Sequence, residues 1–300
     1  MHKLTAVVPI RLGEDFMADS GSQMTILFRS LERFCEAGMF AKILVVCPGG
    51  DVKQLRAAMR KWQKHPIEVL DESSMSTDFS ARKTTPGWAI QQMVKMAACR
   101  IIETDFYLTL DADCFCIRPT RLGDLVRNGK GLIQLESKTW QAAWWKESAR
   151  VLGHRLDMSR PGMSVTPAVL STKAMSDLLR TLNERHVRWD SYLQSYYRLS
   201  HFNTLKQFVS PAVWTEYTLY FSFLEMTESV WNFHFDSATS SKGEEERTLI
   251  SKNSCWQVGD FQKWQAASVF EGNDTATFAV IQSRLRPSVD EILEKVRGYI

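Results

Sequence analysis

Two carboxylates stand one residue apart in Asp111-Ala112-Asp113, directly after the apolar run Phe106-Tyr107-Leu108-Thr109-Leu110. A buried strand cannot hold unpaired charge, so both acids must emerge where the strand ends and meet a cation or solvent. Side chains alternate along a strand, so positions 111 and 113 point the same way if the extended geometry persists. Oxygen ligands of this kind suit Mg2+ or Mn2+, with coordination positions left open for phosphate oxygens. The chemistry indicated is the metal-assisted departure of a diphosphate. An Asp-x-Asp by itself is common in turns. Its position at the mouth of a central apolar strand is what points to a ligand.

Other residues with the right chemistry lie before and after this pair. Gln91 and Lys95 are four apart on a strongly helical stretch, with Gln92 adjacent and Trp88 one turn earlier, so one helix face carries an ammonium, two amides and an indole. That face either lines a donor pocket, with Lys95 near phosphate, or is the solvated side of an amphipathic helix. Arg82 and Lys83 are weaker phosphate candidates in the polar segment before it. Glu216 falls in the first turn of a helix, where a carboxylate complements the macrodipole and where it could also act as a base toward an acceptor hydroxyl. His234 and Asp236, two apart on an extended piece, offer a third metal ligand or a wall of the donor site; a histidine between Phe233 and Phe235 also suits a core. Trp140, Trp144 and Trp145 could stack sugar rings, with core packing as the alternative.

The elements that must position these residues alternate. Leu4–Ile10 reads as a buried strand, Met24–Phe34 as a helix, Lys42–Cys47 as a strand, a helix capped by Asp51 runs to Lys64, and Ile67–Leu70 is a third strand. This alternation predicts a parallel sheet covered on both faces, with ligands beyond the carboxyl ends of its strands. Asp71–Gly87 is long for a connector and reads as a functional loop. Trp88–Glu103 is a helix that delivers the chain to the strand before the acid pair. The second half is less regular: a strand at Val165–Leu170, helices at Lys173–Val187 and Trp189–Tyr197, a helix opening at Trp214 with Thr215 as its cap, an exposed charged loop at Ser240–Arg247, and helix, strand, helix over Phe261–Phe270, Thr277–Ile281 and Ser288–Val296.

With these blocks in view, the chain resembles the bacterial family of GT-A-type glycosyltransferases that carries a domain-of-unknown-function label. The likeness rests on Val7-Val8-Pro9-Ile10, on Gly87-Trp88 with Gln91, Gln92 and Lys95, on Tyr107 through Asp113, on Arg118-Pro119, on Thr215-Glu216-Tyr217 with Leu219-Tyr220, and on Val280-Ile281-Gln282-Ser283. It implies an α/β fold of GT-A-like Rossmann type, a mostly parallel sheet flanked by helices with a helical or mixed C-terminal acceptor-side part. The whole of 1–300 is then one domain, 1–137 the nucleotide-sugar half and 138–300 the acceptor-side half. The implied donor is a nucleotide sugar, a UDP-sugar first, and the acceptor a glycan or lipid-linked hydroxyl in bacterial surface polysaccharide synthesis. The implied donor-side residues are Pro9, Arg11, Trp88, Gln91, Gln92, Lys95 and Asp111; the metal, Mn2+ or Mg2+, falls to Asp111 and Asp113 with His234 as the added ligand; Glu216 is the catalytic candidate.

Composition sets the outer limits. A chain of 300 residues with 44% hydrophobic and 24% charged content can bury a large core. A formal charge of +3 gives no basis for a nucleic-acid partner. The six cysteines sit in apolar surroundings, no run is long enough to span a bilayer, and no signal peptide precedes Leu4, which together predict reduced thiols in a cytoplasmic protein. A peripheral contact with the inner membrane is compatible with Arg180, Arg185, Arg188 and Lys252, for which a solvated surface is the alternative. Two other readings use the same motif differently: a haloacid-dehalogenase-type phosphatase, in which the first Asp attacks phosphorus, and a non-catalytic sugar-binding protein, which needs no metal.

Overall fold

The computed structural model describes residues 3–12, 20–75, 85–164, 166–202, 214–237, 246–257, 259–285 and 287–300. Arg82, Lys83 and most of the charged loop expected at 240–247 lie outside the described residues.

Eleven strands are present among the described residues: β1 Leu4–Pro9, β2 Phe40–Cys47, β3 Ile67–Asp71, β4 Phe106–Thr109, β5 Cys114–Cys116, β6 Val126–Arg127, β7 Lys130–Ile133, β8 Ala168–Ser171, β9 His234–Asp236, β10 Thr248–Ile250 and β11 Ala276–Val280. The central sheet has the order β3-β2-β1-β4-β8. The pairs β1–β2, β2–β3 and β1–β4 are parallel, and β8 closes the edge antiparallel to β4. Every residue of β1, β4 and β8 is buried. That is why these strands read as continuous apolar runs: helices cover both faces of the sheet.

Two small sheets flank it, β10-β11-β5 and β6-β7-β9. The first matters for the acid pair. β5 begins one residue after Asp113 and runs antiparallel to β11, so the Asp111–Asp113 turn joins the central sheet to a second one. Its geometry is a tight turn rather than continued strand, closed by the Cys114 N–H on the Asp111 carbonyl at 3.1 Å. The expected alternation therefore stops at Leu110, and the two carboxylates find different partners.

The helix Glu216–Met226 is buried from Glu216 through Leu224. It packs against Ala142–Leu152, Gly87–Ala97 and Thr172–His186. A helix apolar all round belongs in an interior, and Thr215 caps it as expected, its hydroxyl accepting from the Thr218 N–H. Three expectations shift. Asp51 makes no cap; its carboxylate accepts instead from the Leu12 N–H at 3.0 Å and ties the turn after β2 to the loop after β1. The helix expected at 88–103 ends at Ala97 and tightens into a 3-10 turn through Arg100. The one at 261–270 is two short helices, Asp260–Lys263 and Ala267–Phe270. All six cysteines are buried free thiols. No helix among the described residues is long and apolar enough to cross a membrane.

Candidate active site

The carboxyl ends of β1, β2, β3 and β4 bring four turns to one edge of the sheet, where an open α/β sheet binds ligands. Asp111 and Asp113 lie on the β4 turn. Asp113 is half-buried, and its Oδ2 accepts from the Ser283 N–H at 2.9 Å. The residue's own carbonyl accepts from the Ile281 N–H at 3.2 Å, so the end of β11 holds the turn in place.

Asp111 bonds to a different partner. Its Oδ1 is 2.7 Å from Lys95 Nζ, and Lys95 is itself only 1% exposed. The same ammonium donates to Glu216 Oε1 at 2.9 Å and to the Tyr217 hydroxyl at 3.1 Å. From there the donors are ordered by elimination. Tyr217 accepts from Lys95, so it donates to Thr109 Oγ1 at 2.9 Å, and Thr109 donates to the Ala168 carbonyl at 3.2 Å. The three donors of the ammonium are thus matched by two carboxylates and a phenol.

Gln92 completes the cluster one turn up the helix. A carbonyl facing the Glu216 carboxylate would be repelled, so the amide N–H groups face both Glu216 oxygens, and the amide oxygen accepts from the Trp88 indole N–H at 3.2 Å. Trp88, Gln92 and Lys95 are spaced by four and three residues and share one helix face. That face runs inward, with Trp88 42% exposed and Lys95 and Gln92 buried.

Charge explains the titration behaviour. Burial by itself would depress Lys95; Asp111 and Glu216 reverse it and hold the ammonium well above its ordinary value. Burial raises Glu216, and Lys95 only partly offsets this. Burial, reinforced by the neighbouring Asp111 charge, pushes Asp113 up to about 6 against the pull of the Ser283 N–H. Three carboxyl groups therefore share one ammonium among the described residues, and Asp113 carries the excess.

The expected residues are brought together unevenly. Asp111, Asp113, Lys95, Gln92, Trp88 and Glu216 form one connected set. Gln91 is half-buried on the same helix but makes no bond to the set among the described residues. Arg11 lies at the start of that helix, where a Cβ added at Gly87 would come 3.2 Å from Arg11 Nη1. Pro9 is buried at the end of β1 and offers no N–H, and Arg11, two residues on, is exposed. Glu216 is corrected from base to positioning residue, because at 0% exposure no acceptor hydroxyl reaches it.

His234 is corrected as a metal ligand. It is buried against Phe106, at the far end of β4 from the acids. Its Nδ1 donates to the Gly131 carbonyl at 3.1 Å, which leaves Nε2 to accept from the Tyr220 hydroxyl at 2.8 Å. Among the described residues no group of three His, Cys, Asp or Glu side chains converges as a metal centre. Tyr217, Thr109 and Ser283 were not singled out from the sequence. Tyr217 follows Glu216 directly and Ser283 lies in a block already quoted, but nothing in their spacing reveals what they bond.

The donor set nonetheless fits a hard divalent ion. Both acids are half-exposed carboxylates, Asp113 bonded by Ser283 and Asp111 by Lys95, and the cluster is short of positive charge. Two carboxylates with open positions are the usual protein share of a site that a diphosphate completes.

Comparison with known proteins gives a fold and a family. The apo form of mouse xyloside xylosyltransferase 1 is similar over 93% of this chain and 97% of that one, with a TM-score of 0.53 at 12% identity. The likeness is one of fold: the chain has a mixed α/β architecture similar to that of this structure. A comparison with curated proteins gives no match. A model described as a family of unknown function (DUF6492) matches residues 1–300, and the chain belongs to that family.

Proposed function

We propose that the protein is a metal-dependent glycosyltransferase that moves a sugar from a nucleoside-diphosphate donor, a UDP-sugar first, to a hydroxyl of a glycan or lipid-linked acceptor. The observation that carries this reading is the charge deficit at the carboxyl edge of β4. A diphosphate cannot approach three carboxyl groups balanced by one ammonium unless a cation comes with it.

Asp113 and Asp111 would hold Mn2+ or Mg2+ through their carboxylate oxygens. When bound, that ion supplies Lewis-acid stabilisation of the charge on a departing diphosphate. The remaining work belongs to the chain. Lys95 fixes the Asp111 rotamer and, through Glu216 and Tyr217, anchors it to the buried helix Glu216–Met226. Arg11 and the N-terminus of the helix Gly87–Ala97 give the cleft a positive end suited to phosphate. A role in bacterial surface polysaccharide synthesis, in the cytoplasm or at the inner membrane, is the setting we propose for it.

The test is donor hydrolysis or transfer by purified protein across a panel of nucleotide sugars, with and without Mn2+. Turnover that requires metal and disappears in Asp113→Asn supports the reading. Full turnover without metal, or stabilisation by beryllofluoride in place of nucleotide, contradicts it; the second outcome would indicate a phosphatase that forms an aspartyl-phosphate.

A further inference from the structure

The helix face that descends from Trp88 to Lys95 has an aromatic mouth. Trp88 and Trp144 come from different elements, the helices Gly87–Ala97 and Ala142–Leu152, yet their ring centroids are 6.1 Å apart and the planes inclined at 38°. Trp88 is 42% exposed and Trp144 half-buried, and Trp140, four residues earlier, is 80% exposed. Trp145 takes the opposite course and is buried edge-on against Phe221 at 5.8 Å. Of three neighbouring tryptophans, then, one serves the core and two stay at the surface.

Indoles held together at a surface by separate helices mark a contact surface rather than scattered exposure. This pair is continuous with the proposed site: the Trp88 indole N–H is bonded to Gln92, which meets Glu216 and so Lys95. Seven residues separate Trp88 from Lys95, about 10 Å of helix on one face. The indoles therefore stand at the outer end of the helix whose buried face ends at the acid cluster.

We infer that Trp88 and Trp144 form a stacking platform for a pyranose ring of the acceptor, which makes the acceptor a glycan with at least one sugar beyond the hydroxyl that reacts. This deepens the proposed function and rests on it. The two rings lie against one another, so a ligand meets their shared outer surface, which suits the C–H face of a pyranose. A neutral sugar also needs no counter-ion to approach the negative cluster, whereas a nucleotide does.

The experiment is a titration of intrinsic tryptophan fluorescence with cellotriose, xylotriose and mannotriose, without nucleotide or metal, in the wild type, Trp144→Ala and Trp144→Phe. A saturable shift with at least one trisaccharide is expected, weakened about tenfold in Trp144→Ala and largely restored in Trp144→Phe, where a ring remains to stack. Trp140→Ala, outside the pair and at the most exposed of these positions, is expected to bind as the wild type does; loss of binding there in place of Trp144 overturns the inference. No saturable binding of any trisaccharide overturns the inference, as does equal affinity in Trp144→Ala. A separate titration with UDP and Mn2+ whose tryptophan shift is lost in Trp144→Ala would overturn it too, and would make the pair a base platform. Because metal and donor are absent from the trisaccharide titration, failure there leaves the donor reading standing, while metal-independent turnover would sink that reading without touching this titration.

Discussion

At the scale of single residues, Asp113 carries the strongest expectation. Its carboxyl is raised to about 6, so its charged form is disfavoured by the fold, and stability is lost as pH rises from the ordinary carboxylate range through that value. Asp113→Asn removes that penalty and keeps an oxygen to accept from the Ser283 N–H. The variant should therefore lose donor turnover entirely while its Tm at pH 7.5 stays level or rises. A large fall in Tm would mean that Asp113 serves the fold instead. Asp111 and Asp113 were legible in the sequence because charge at the end of an apolar run has few explanations. Their divergent partners were not. Lys95 and Ser283 meet them across 16 and 170 positions of sequence, and no local pattern encodes contacts of that kind.

At the scale of elements, Lys95 is the joint between the helix Gly87–Ala97, the β4 turn and the helix Glu216–Met226. Replacing it by Met leaves Glu216 buried without a counter-charge, which should cost about 3–5 kcal/mol in urea unfolding. The loss should shrink at low pH, since a protonated Glu216 no longer needs a partner: a carboxyl raised by burial destabilises the fold only once it is deprotonated. A loss independent of pH would contradict the pairing. The β7–β9 joint gives a second pH signature of opposite sense. Burial lowers His234 to about 4, so on acidification the unfolded chain takes the proton first. Stability should fall from about pH 6.5 toward pH 4, by up to about 3 kcal/mol, and His234→Gln should lack this component. Equal slopes in the two proteins would show that His234 is not held neutral. This histidine also shows where spacing misleads. A His-x-Asp on an extended piece suits a metal, but the outcome depends on which neighbours occupy the ring nitrogens, and Gly131 and Tyr220 do so here.

At the scale of the whole molecule, the alternation of strands and helices through residue 110 was readable because each buried strand leaves a continuous apolar run. The order β3-β2-β1-β4 is one of several that this alternation allows, and the apolar runs do not single it out. The antiparallel β8 and the pairing of β5 with β11 were not readable, since short strands paired across long stretches of sequence carry no mark of their partners. That pairing positions the Asp113 side of the motif, so a site readable as a motif depends on topology that was not.

The central claim is that the acid pair admits nucleotide only together with a divalent cation. It is tested most directly by the thermal shift of the wild type and Asp113→Asn with UDP, GDP, CMP and TDP, with and without Mn2+. We predict that one nucleoside diphosphate raises the wild-type Tm by several degrees with Mn2+ present and not without it, as linkage requires for a ligand that needs the ion, and that Asp113→Asn shows no shift. An equal rise without metal, or an undiminished one in Asp113→Asn, would contradict the account.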